Sequence, residues 1–303
     1  MKTGLLLAVV SAAFAVGVHG QAAPKGKGKK LPEGVRVLRD LEYAKPGGKP
    51  LLLDLYLPEK PSAAALPVVV WVHGGGWNKG SKDNCPAAWL AGDGFAVASI
   101  NYRLSTEGPW PAQIDDCHAA VRWLREHAGE YKIDGGHVGA WGGSAGGHLV
   151  AIMGTRNPSD AAEAVQAVCD WYGPADLLTM PNNVPSEKRS PDALAKSNGA
   201  ILLGAAVKDV PDKAKDASAI YHVSADDPPF LIMHGDEDPQ VPIEQSRRFY
   251  QTLKSAGVPV TLEVVKGGGH GGPAFQTEQV KGTVKAFFEK TLRPPEANSR
   301  GSR

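Results

Sequence analysis

One stretch constrains this chain more than any other. The short apolar run His137–Trp141 passes into Gly142-Gly143-Ser144-Ala145-Gly146-Gly147-His148, and an apolar helix pattern of Leu149, Val150, Ile152 and Met153 follows. The order is strand, tight turn, helix. Gly142-x-Ser144-x-Gly146 suits that turn because a side chain two positions either side of the serine would keep strand and helix apart. The helix N-terminus beneath the serine favours negative charge nearby. A plain glycine-rich turn shows the same letters, so the strand-to-helix setting carries the argument.

The rest of the chain repeats the alternation. Val35–Leu38 and Leu51–Leu57 flank a hairpin-like turn at Lys45-Pro46-Gly47-Gly48. Val68–Val72 and Phe95–Ile100 are runs of the kind buried on both faces of a sheet. Val165–Trp171, Phe230–Met233 and Val258–Val265 are further strands. Ile114–His127, Ile243–Ala256 and Gln276–Leu292 have helical apolar spacing. Strands alternating with helices predict an α/β fold, a mostly parallel central sheet covered on both faces. Residues 175–227 break the rhythm. They are polar and Pro-containing, and read as a small cap inserted above the sheet, with Ala200–Val207 packing down onto the domain.

Chemistry-bearing residues gather after strands. His73-Gly74-Gly75-Gly76-Trp77 follows Val68–Val72, and its glycines leave backbone N–H groups open to a carbonyl oxygen. A phosphate-cradling loop would need the Lys-Ser/Thr of a P-loop or Gly-x-Gly-x-x-Gly, and neither is present. Phe230–Met233 runs into His234-Gly235-Asp236-Glu237-Asp238, and Val258–Val265 runs into Lys266-Gly267-Gly268-Gly269-His270. The chain order is therefore serine, acid, histidine. On residues alone Asp236, Glu237 and Asp238 all remain candidates for the acid.

His73–Trp77, Gly142–Gly147, Asp170-Trp171-Tyr172-Gly173-Pro174, Pro228–Asp236 and Val241-Pro242 together resemble the α/β-hydrolases of the hormone-sensitive-lipase side. The branch resembled is the bifunctional acetylxylan/feruloyl esterase-like group, over about residues 35–292. That resemblance implies a cofactor-free carboxylic ester hydrolase. It implies Ser144 as nucleophile, His270 as base and Asp238, ahead of Val241-Pro242, as the acid that orients His270. The N–H groups of Gly75, Gly76 and Ala145 would form the oxyanion hole.

Other candidates have plainer readings. His73, His148 and His234 are expected to make structural hydrogen bonds, and Asp236 to pin its own turn. Asp115 and Asp116 are expected to satisfy helix N-terminal N–H groups. Trp77, Trp110 and Tyr172 lie on motif loops and are the candidate substrate-binding aromatics, against ordinary packing. His118 and His127 carry no metal-ligand spacing, and no metal site is expected.

Composition bounds the partners. Thirty-three Lys+Arg against 32 Asp+Glu give a net charge of +1, which argues against a nucleic-acid partner. Lys2 and the apolar run Leu5–Val18 read as a signal peptide over residues 1–20, too short for a membrane span; a buried first helix is the rival. Residues 21–34 read as a flexible lead-in, 35–292 as the hydrolase domain and 293–303 as a tail. Cys85, Cys117 and Cys169 leave any pairing open. The expectation is an exported serine esterase for short acyl or aryl esters, including acetyl or feruloyl esters of plant polysaccharide. A peptidase or formamidase, a lipase, and a non-catalytic binding protein are the alternatives.

Overall fold

Eight strands form one sheet in the order β1-β2-β4-β3-β5-β6-β7-β8. The computed structural model describes residues 30–156, 160–180 and 196–293. The leader, residues 21–29 of the lead-in, residues 294–303 of the tail, and the insertion residues Asn182, Asn183, Ser186, Glu187, Lys188 and Arg189 lie outside the described residues. The strands are β1 (Val35–Ala44), β2 (Leu51–Pro58), β3 (Leu66–Val72), β4 (Ala96–Ile100), β5 (Ile133–Gly143), β6 (Ala167–Trp171), β7 (Phe230–Gly235) and β8 (Val260–Val265). β1 and β2 pair antiparallel through the expected turn, and β2 pairs antiparallel with β4. All further pairs, from β4–β3 to β7–β8, are parallel.

Alternation along β3 explains why both faces are covered. Val68, Val70 and Val72 join Ile114, Val121, Leu149, Val150 and Phe249, which come from the helices Ala112–Glu126, Ala145–Thr155 and Glu244–Ser255. Val69 and Trp71 point the other way, to Trp141, Phe288 and Leu292 and the helix Glu278–Leu292. Every residue of Ala145–Thr155 is buried, so this helix runs through the core, as its mostly apolar sequence requires. In the cap, Ala200, Leu202 and Leu203 of the helix Asn198–Leu203 do pack down.

The strand register sets where the loops meet. Val72 pairs with Gly142, Gly143 with Trp171, Trp171 with Met233, and Gly235 with Val265. The ends of β3, β5, β6, β7 and β8 therefore lie in a row, and the loops leaving them share one edge of the sheet. Cys85, Cys117 and Cys169 all stand as free thiols.

One expectation about charge is corrected. Asp116 does not cap its helix. Its carboxylate accepts the backbone N–H of Arg103 at 2.8 Å and pairs with the Arg103 guanidinium at 2.7 Å, tying the loop after β4 to the helix. A second buried network has no counterpart in the sequence reading. Asp54 on β2, fully buried, accepts from Lys82 Nζ at 2.7 Å, Arg39 at 2.7 Å and the Asp40 N–H at 3.0 Å. Burial works against the charge on Lys82, but Asp40 and Asp54 outweigh it and hold the lysine above its usual value. Without Asp54 the buried Lys82 keeps only the exposed Asp40, at 2.7 Å, and the more distant Asp83, while Arg39 and the Asp40 N–H lose their acceptor. Asp54→Ala should therefore lower stability by about 2–4 kcal/mol, read as a fall in the urea midpoint at unchanged slope.

Candidate active site

Ser144 sits at φ 57° and ψ −120°, left-handed backbone that a serine rarely adopts. Two bonds hold it there: its N–H donates to the Trp171 carbonyl at 2.9 Å, and its carbonyl accepts from the His148 N–H at 2.9 Å. Close approach does the rest. A Cβ on Gly146 would collide with the Val72 carbonyl, so only glycine lets the helix start this near β3. The hydroxyl then projects at the sheet edge.

Asp238 and His270 arrive from the loops after β7 and β8. His270 Nε2 lies 2.8 Å from Ser144 Oγ, and His270 Nδ1 lies 2.7 Å from Asp238 Oδ2. The Asp238 side chain is wholly buried. Burial pushes its pKa up, but His234, His270 and the N–H groups of Val241 and Gln240 outweigh that and hold the carboxyl well below the usual range. The two backbone bonds, 2.8 Å from Gln240 and 2.9 Å from Val241, occupy Oδ1 and leave Oδ2 to the imidazole. Asp236 has another task. It accepts the Gly267 N–H at 2.7 Å, so it fastens the β7 loop to the β8 loop instead of pinning its own turn. A serine hydroxyl bonded to an imidazole that a buried carboxylate orients is an arrangement able to move a proton off the serine.

The glycine loop lies against this serine. A Cβ on Gly74 would sit 3.3 Å from Ser144 Cβ and 2.8 Å from the Gly143 carbonyl. Gly75, Gly76 and Trp77 follow at φ 113°, 59° and 59°. Among the described residues, the turn and loop bonds give the N–H groups of Gly75, Gly76 and Ala145 no backbone acceptor. Donors of this kind beside the hydroxyl suit a carbonyl oxygen that gains charge.

The aromatic candidates divide. Trp77 is 5% exposed and donates its indole N–H to His148 Nδ1 at 3.2 Å. Trp110 is 3% exposed and donates to Asp216 at 2.6 Å. Neither offers an open face for stacking, because both rings are almost wholly buried. Tyr172 is half-buried at φ 44°, its ring 4.8 Å from that of His270, so it packs against the imidazole. His73, His148 and His234 make structural bonds. His148 Nε2 is 2.7 Å from the Ala217 carbonyl, and His234 bridges Ser246 and Val241. His234 Nε2 is also 3.4 Å from Asp238 Oδ2, a contact the sequence reading missed although the two are four residues apart. Among the described residues no cluster could hold a metal ion, and no helix is long and apolar enough to cross a membrane.

Comparison with known proteins accords with this geometry. A family model described as BD-FAE matches residues 53–253. The chain belongs to the BD-FAE family of α/β-hydrolases. Its motifs and its mostly parallel eight-stranded sheet are those of the esterase-like branch on the hormone-sensitive-lipase side. It is 33% identical to Esterase LipQ of Mycobacterium tuberculosis over 72% of this chain and 53% of that protein. The chain thus spans about half the length of this curated relative. Among solved structures it resembles a truncated carbohydrate esterase from gut microbiota, with TM-score 0.76, 32% identity and coverage of 88% of this chain and 100% of that one. It also resembles a butyrate-bound thermophilic esterase of the Planctomycetes species Thermogutta terrifontis, with TM-score 0.69, 25% identity and coverage of 86% and 96%.

His148 makes acid sensitivity measurable. Burial pushes its pKa down to about 4, with the Ala217 carbonyl pulling weakly the other way. The unfolded chain takes up the proton near pH 6.5, so the stability this group confers is complete above that pH. It is lost as pH falls from 6.5 towards 4, by about 3 kcal/mol in all. Asp170, raised to about 6 by burial, acts oppositely in part of this window. Comparison with His148→Gln isolates the histidine: the wild-type melting temperature should fall more steeply from pH 6.5 to 4 than the variant's. Parallel curves would refute the assignment.

Proposed function

We propose that this protein is a serine carboxylic ester hydrolase, with Ser144 as nucleophile, His270 as general base and acid, and Asp238 as the group that orients His270. The continuous hydrogen-bond line from Asp238 through His270 to Ser144, beside the glycine loop, carries this reading. Ser144 Oγ attacks the ester carbonyl carbon while His270 Nε2 takes the hydroxyl proton. The N–H groups of Gly75, Gly76 and Ala145 receive the carbonyl oxygen as it becomes an oxyanion. Collapse breaks the bond to the alcohol, which leaves with the proton from His270. Water repeats the sequence on the acyl-enzyme and releases the acid.

Short acyl or aryl esters are the proposed substrates, with acetyl or feruloyl groups on plant polysaccharide as the natural class. The carbohydrate esterase and the butyrate-bound esterase among the structural neighbours support it. So does the cap. Its described polar residues Lys196, Lys208, Asp212 and Lys213 differ from the contiguous apolar surface of a lipase lid.

The test is a rate panel of acetyl, butyryl, octanoyl and feruloyl esters, with an anilide for comparison. Acetyl and butyryl esters should turn over faster than octanoyl, with no rate jump at an emulsion interface. Ser144→Ala should lose roughly 10⁴-fold in kcat and all fluorophosphonate labelling, and Asp238→Asn roughly 10³–10⁴-fold. Asp236→Asn should lower the melting temperature with a much smaller loss of rate. Labelling at another serine, or an anilide preferred to every ester, would sink the proposal.

The leader reading of residues 1–20 supports export. Mass spectrometry of protein from a secreting host should find a mature N-terminus at or near Gln21, and an intact Met1 in the exported fraction would contradict it.

A further inference from the structure

The cap touches the glycine loop through Asn198, the first residue of the helix Asn198–Leu203. That helix is fixed to the body of the molecule. Ser197 caps it by accepting from the Ala200 N–H, Leu202 and Leu203 are buried, and the Trp110 N–H donates to the Leu202 carbonyl at 2.8 Å. From this fixed base the Asn198 amide lies over Gly76. A Cβ on Gly76 would overlap the amide nitrogen and stand 2.9 Å from Cγ. The amide oxygen accepts from Asn78 Nδ2 at 2.9 Å, across 120 positions of sequence. One side chain thus covers Gly76 and holds Asn78, the residues either side of Trp77.

The loop needs such a hold. Gly75, Gly76 and Trp77 are three consecutive positive-φ residues, and the Cβ of Trp77 makes that backbone costly, by about 1–3 kcal/mol. On the Trp77 side, the His148 bond and the Ser105 N–H to the Trp77 carbonyl at 2.8 Å secure it. On the Gly76 side the Gly75 carbonyl accepts from the Asn78 and Lys79 N–H groups at 3.3 and 3.2 Å, and the Asn198 side chain packs over Gly76 itself. Relaxation of this loop would swing the Gly76 peptide plane and its N–H.

We infer that Asn198, tied by Asn78, is a positioning residue that fixes the Gly76 N–H for the oxyanion. The inference rests on the esterase reading above and deepens it, since the cap then sets the rate of acyl transfer without touching the ester. An interaction that counts only as charge develops alters kcat more than KM.

The experiment compares wild type, Asn78→Ala, Asn198→Ala and the double variant. It reads kcat and KM with p-nitrophenyl butyrate, the rate of inactivation by a fluorophosphonate, and melting temperature. Each single variant should lose about tenfold in kcat, less than removal of a direct oxyanion donor costs, with KM within about twofold. The inactivation rate should fall in step, melting temperature should shift little, and the double variant should be no slower than the slower single one. Wild-type kcat in Asn198→Ala, additive losses in the double variant, or a loss confined to KM would overturn the inference. Inactive wild-type protein, or an active Ser144→Ala variant, would instead remove the esterase reading and this positioning role with it.

Discussion

Ser144 is held in a backbone conformation that costs about 1–3 kcal/mol, and the surrounding architecture is what makes it tenable. The Ser144 N–H reaches Trp171 only because β5 and β6 are parallel and in a register that pairs Gly143 with Trp171. The following helix can begin at once only because Gly146 presses on the end of β3. That helix is buried on every side, so it cannot tilt away to relieve the turn. Sheet register, glycine placement and a fully buried helix together fix one hydroxyl.

The same sheet edge collects the electrostatics. Asp238 is buried and still ionised because two backbone N–H groups and two imidazoles surround its carboxylate. Asp236, outside that cage, clamps the two loops that carry Asp238 and His270. Tyr172 backs the imidazole. Adjacent acids and neighbouring aromatics thus divide the work of binding, bracing and packing. The division is set by which side chain points inward at each turn.

Much of this was legible in the residues. The parallel sheet was legible because strands buried on both faces read as short continuous apolar runs, set apart by segments of helical apolar spacing. Ser144 and His270 stood out because each follows a strand and is flanked by glycines. Asp238 needed the family resemblance, since three acids within three positions look alike until one of them is buried. Asp116 was misread as a helix cap because its partner, Arg103, lies 13 positions away on another loop. Trp77 and Trp110 stand among the candidate substrate-binding aromatics in sequence for the same reason: whether an indole faces solvent or the interior depends on partners 71 and 106 positions away.

Sequence by itself determined the fold class, the strand-to-helix turn around Ser144 and the chain order of serine, acid and histidine. These are local patterns, written in residues that are neighbours or near neighbours along the chain. Tertiary structure decided the rest: which acid meets His270, which indoles are covered, and that Asn198 lies over Gly76. Those contacts join residues 32, 71 and more than 100 positions apart. Packing brings them together, and no local spacing encodes a distance across the sheet.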